Sequence, residues 1–116
     1  QDQCIVMTTV VVYKDPCGSY RGFTCMGHAG YAGRNQPDIV CAAVSVLVTN
    51  TINSLTELAG EKVNVVANEE TGFIKCDFEG RLQEKSEFLL DSLVFGLQTI
   101  SKDYGCKYVQ VKFEEV

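Results

Sequence analysis

From Ile39 to Leu58 the chain is apolar nearly all round its first helical turns, and Pro37-Asp38 just ahead of it is a helix start. A helix of that kind is expected to be buried on most sides, so its neighbours must supply a broad apolar surface. The flanking segments read as the strands of a sheet. Thr8 to Tyr13 is β-branched and aromatic, and Lys14-Asp15-Pro16-Cys17-Gly18 is turn chemistry that folds Tyr20 to Met26 back as a hairpin. Beyond the helix, which Ala59-Gly60 ends, Lys62 to Ala67 and Gly72 to Phe78 form a second hairpin across Asn68-Glu69-Glu70-Thr71. In its second strand Ile74, Cys76 and Phe78 share one face, and Lys75 and Asp77 the other, which is therefore wet.

A second helix spans Glu84 to Tyr104, with Phe88, Leu89, Leu93, Gly96, Leu97, Ile100 and Tyr104 on its apolar face and Gly105 as its cap. Lys107 to Phe113 alternates as a fifth strand. The order ββαββαβ predicts an α+β fold, a mixed or antiparallel five-stranded sheet packed with two main helices; the alternative is a three-layer α/β/α arrangement. At 116 residues and 46% hydrophobic, one domain over residues 1–116 is expected.

A formal charge of −5, with ten scattered basic residues, argues against direct nucleic-acid binding and fits a basic partner. The longest apolar run, Ile39 to Leu47, is too short to span a bilayer, and no secretion signal precedes it, so a soluble, unexported protein without a membrane role is expected. Six cysteines without dense spacing point to reduced thiols in a cytoplasm rather than a disulfide framework. One histidine and no CxxC spacing leave no metal site to expect.

The chemistry concentrates between Gly27 and Ser45. His28, the one histidine, follows the second strand, and Cys41 falls in the first turn of the apolar helix. Unpaired backbone N–H groups and the positive dipole end at such a position favour a thiolate, and a nearby imidazole completes a nucleophile and base pair. With Asp38 as N-cap, the Cys41 side chain leans back toward the loop that carries His28. Asp38 is either a cap alone or an orienting partner of His28, and backbone N–H groups of this helix end are oxyanion-hole candidates. Ser45, one turn on, is read as bonding a backbone carbonyl or supporting the site. Ala29, Gly30, Tyr31 and Gly33 form a loop suited to close substrate approach. The competing readings are a small core cysteine with a structural histidine, a non-enzymatic peptide-binding module, and a redox-sensing thiol.

Gly27-His28-Ala29, a short loop, and Asp38-Ile39-Val40-Cys41-Ala42-Ala43-Val44-Ser45 resemble the hallmark of the ribosomal-processing cysteine protease family, Prp. The resemblance covers essentially the whole chain. It implies a bacterial endopeptidase with His28 as general base, Cys41 as nucleophile and no cofactor. It also implies a homodimer, and as substrate the N-terminal extension of large-subunit ribosomal protein twenty-seven, a segment with consecutive aromatic residues. Two departures stand out: Gln36-Pro37 where the family carries Gly two residues before the Asp, and a loop one residue longer. Family members begin near Met7, so residues 1–6 read as an extension.

Overall fold

The computed structural model describes residues 8–27 and 38–116. Strand β1 (Thr8–Lys14) and strand β2 (Tyr20–Gly27) form the first hairpin, helix α1 spans Asp38–Glu57, β3 (Val63–Asn68) and β4 (Phe73–Phe78) form the second, and helix α2 (Glu84–Tyr104) leads into β5 (Val109–Glu115). The sheet order is β3-β4-β2-β1-β5, antiparallel throughout except for the parallel β1–β5 pair. This is the expected α+β order with a mixed sheet. In the second hairpin, Asn68 supplies the turn: its side-chain oxygen accepts the N–H of Glu70 at 3.0 Å, closing the chain in a short local loop.

Period-two alternation sends Val10, Val12, Phe23, Cys25, Cys76, Phe78 and Val109 into one core with residues of both helices. Both helices thus cover a single face, and the two-layer arrangement prevails over the three-layer alternative. The opposite face is wet as predicted, carrying the Lys75–Asp77 ion pair at 3.7 Å and the exposed Met26.

Helix α1 departs from its predicted environment. Only one stripe, Val40, Val44, Val48, Thr51 and Leu55, is buried, whereas Ile39 is 63% and Val46 66% exposed. A single sheet beneath and a single helix alongside cannot enclose a helix, so its outer face stays open. The helix also continues well past Leu47. By length and composition Ile39–Glu57, with mean hydropathy 1.6, suffices to cross a membrane. Here its apolar stripe packs on the sheet.

Helix α2 buries Ser86, Leu90, Leu93 and Leu97, while Phe88, assigned to its apolar face from sequence, is 73% exposed and Tyr104 48% exposed. The reason lies at its N-terminus. Glu61 accepts hydrogen bonds from the Ser86 hydroxyl at 2.6 Å and from the Gln83 backbone N–H at 2.9 Å, so a polar residue is satisfied in the buried position and the helix is rotated with Phe88 outward. Gly96 faces Leu47 of α1, where an added Cβ would stand 3.1 Å from the Leu47 Cδ1, and this close approach fixes the lateral position of α1. At the other end Gly105 takes φ 113° and donates to the Ser101 carbonyl, closing the helix as predicted. A turn from Gly105 to Tyr108, closed by the Tyr108 N–H on the Gly105 carbonyl, delays β5 by two residues relative to its predicted start.

The Ser86 hydroxyl and the Gln83 donors hold the Glu61 carboxyl below its ordinary value of 4.5. A carboxyl with a depressed pKa in the fold stabilises fully above its unfolded value, and that contribution is lost as pH falls through the folded one. Glu61→Gln is expected to lower stability by about 1 kcal/mol at pH 7. In urea denaturation the gap between variant and wild type narrows below pH 4.5; a gap that widens there contradicts the assigned role.

Candidate active site

Because the buried stripe of α1 includes Val40 and Val44, the residue between them on its flank, Cys41, is left half-buried at the rim of the core. It lines a cavity of about 350 Å³ between the start of α1 and the sheet. The walls are mainly apolar: Val44 and Val48 come from α1, Cys25 from β2, and Phe73 and Ile74 from β4. Gly27, the last residue of β2, lines it too, as do Ala67, Asn68 and Glu69 at the second hairpin. Glu69 is the one charged side chain among the described lining residues.

Ser45 is exposed and lines the same cavity, one turn from Cys41. Further along α1 the Thr51 hydroxyl donates to the Leu47 carbonyl at 2.8 Å. Asp38 is the first residue of α1 itself, one position inside the N-cap place read from the sequence. His28, Ala29, Gly30, Tyr31 and Gly33 lie outside the described residues. The structure thus brings together Cys41, Ser45 and the Gly27 end of β2.

Sequence reasoning missed the cavity walls. Cys25 falls within the strand predicted from Tyr20 to Met26, and its alternation with Phe23 is the signal that it faces the helices. Burial, and secondarily the neighbouring Cys41, pushes the Cys25 thiol up to about 11. Cys76, deeper in the core, is pushed up to about 12 by burial and then by Asp77. Both are therefore protonated, poor nucleophiles at neutral pH. Cys17 and Cys106 are exposed and free.

Cys41 thus stands half-buried near the start of α1, on the wall of a mainly apolar cleft, with the end of β2 beside it. The family profile described as Cysteine protease Prp matches residues 7–110, and the chain belongs to this family of cysteine proteases of ribosomal processing. The ribosomal processing cysteine protease Prp of Bacillus subtilis (strain 168) is 31% identical over 86 residues, covering 71% of this chain and 76% of that protein. The Staphylococcus aureus Prp, solved in complex with a substrate peptide, superposes with a TM-score of 0.84 at 21% identity, over 93% of this chain and all of that one (100%). A Streptococcus mutans protein gives the same TM-score of 0.84 at 28% identity, over 96% and 97% of the two chains.

Thiol accessibility provides a direct check on this site. In native protein near pH 8, iodoacetamide followed by peptide mass spectrometry is expected to label Cys17, Cys41 and Cys106 and to spare Cys25 and Cys76 until denaturant is added. Rapid native labelling of Cys25 together with protection of Cys41 contradicts the assignment.

Proposed function

We propose that this protein is the endopeptidase that removes the N-terminal extension of large-subunit ribosomal protein twenty-seven, with Cys41 as nucleophile and His28 as general base. The supporting observation is that Cys41 and Gly27, the residue that passes the chain to His28, line one cavity. His28 takes the Cys41 thiol proton, the thiolate attacks the scissile carbonyl, and the resulting oxyanion is received by backbone N–H groups of the first turn of α1. Collapse of that intermediate breaks the C–N bond as His28 delivers a proton to the leaving amine, leaving an acyl thioester on Cys41. His28 then takes a proton from water, the hydroxide displaces the sulfur, and the acid product departs. Asp38 caps α1 or orients His28, Ser45 supports the nucleophile from the next turn, and Ala29, Gly30, Tyr31 and Gly33 contact the peptide.

The apolar walls suit a substrate with consecutive aromatic residues. At about 350 Å³ the cavity is at the small end of ligand sites, which run from roughly 300 to 1,000 Å³, and it accommodates an aromatic side chain rather than a long segment. The enzyme acts as a homodimer in the bacterial cytoplasm, without a cofactor, and its charge of −5 favours encounter with a basic ribosomal protein.

The test is cleavage of a synthetic peptide spanning that extension. Cys41→Ala and His28→Ala are each expected to lower kcat/KM by about 10³-fold or more, while both variants still bind the peptide. Wild-type cleavage rates in either alanine variant overturn the dyad, and binding without any product in the wild type favours a peptide-binding module instead.

A further inference from the structure

The sheet has two outer strands, and they differ. β5 carries Lys112, Glu114 and Glu115, charges of the kind that keep an exposed edge from pairing with another chain. β3, Val-Asn-Val-Val-Ala-Asn, has no charge at all, yet among the described strands it pairs only with β4. An uncharged, β-branched edge left open is a template for an incoming strand.

Its register says which side chains such a strand would meet. Val63, Val65 and Ala67 stand opposite Phe78, Cys76 and Ile74, and directly opposed residues share a face, so these three point to the helix-covered side. Cys76 there is fully buried, whereas Val65 is 43% exposed and Ala67 exposed: the cover over β4 reaches β3 only at its half-buried first residue, Val63, and leaves the rest of the strand open on this side. On α1 the buried stripe separates two flanks. Leu47 on one packs against Gly96 of α2; Cys41 and Ser45 lie on the other, away from α2. The uncovered strip of β3 is continuous with the cavity, because Ala67 belongs to both and Asn68, the next residue, also lines the cavity.

We infer that the open edge of β3 is the substrate-binding rail: the peptide adds to it as an extended sixth strand, its alternate side chains lying beside Val65 and Ala67 on the helix side, with one of them entering the cavity next to Cys41. This rests on the proteolytic reading above. The occupant is a peptide substrate rather than a second copy of this chain, because the C-terminal end of β3 opens at the nucleophile and the uncharged edge leads there. Sequence specificity then comes from every second residue of the substrate, and main-chain hydrogen bonds supply the rest of the affinity.

Two adjacent valines allow a controlled experiment, since both are already exposed and point to opposite faces. In peptide cleavage, Val65→Asp is expected to raise KM about tenfold with kcat little changed, and Val66→Asp to leave KM within about twofold of wild type. A substrate series N-methylated at one amide at a time is expected to lose affinity at every second position only. With the Cys41→Ala protein, peptide is expected to slow amide hydrogen exchange in residues 63–68 and not in 109–115; this readout needs no turnover, so protection without wild-type cleavage refutes the protease reading alone. Equal effects of the two aspartates, no alternation in the methylated series, or unprotected 63–68 amides overturn the rail. So does a Val65→Asp variant that loses self-association in sedimentation with KM unchanged, which assigns the edge to a second copy.

Discussion

The stripe Val40, Val44, Val48, Thr51 and Leu55 of α1, pressed onto one face of the sheet, is the contact on which the rest of the molecule depends. Each fully buried valine or leucine contributes roughly 1.5 to 3 kcal/mol, so this stripe alone is comparable with the net stability of a small fold. It also sets the rotation of α1 about its axis. With Val40 and Val44 facing the sheet, Cys41 has one place left, on the flank at the cavity mouth. A rotation by one residue would bury the thiol or turn it to the outer surface with Ile39 and Ala42.

Three further contacts refine that placement. The close approach of Gly96 to Leu47 fixes how far α1 stands from α2. Glu61, bonded to Ser86 and Gln83, fixes the rotation of α2, and the Tyr20 hydroxyl donating to Asp91 ties α2 to the second strand. Burial and the acidic partners Asp91 and Glu87 raise the Tyr20 pKa, so the phenol stays a donor at any pH at which the protein is used. Cys41 therefore sits on a rigid element, while the other side of the cleft is built from strand ends and a hairpin. Catalytic groups held by packed elements retain their geometry when a ligand enters.

Local chemistry made much of this readable in advance. The turn at Asp15-Pro16-Cys17-Gly18, the alternation of Ile74, Cys76 and Phe78, and the cap at Gly105 are all decided within a few residues, and each was found where expected. The position of Cys41 was legible because a cysteine one turn into a helix that begins with Asp38 occupies the helix start whatever surrounds it. Phe88 and Leu90 show the opposite case. Both positions fit a helical stripe, and the choice between them was made by Glu61, distant in sequence, satisfying Ser86. Likewise the outer face of α1 is as apolar as its inner one, so its composition overstated its burial.

The sequence by itself determined the element order, the turns, the alternation of the strands and the residue at the start of α1, because these follow from backbone preferences and side-chain periods acting over a few residues. Only the tertiary structure decided that both helices share one face, which stripe of each is buried, and that Cys25, Ile74 and Ala67 meet Cys41 around one cavity. Those outcomes depend on which strands become neighbours and on how two helices pack across them, and no local pattern in the chain encodes that pairing.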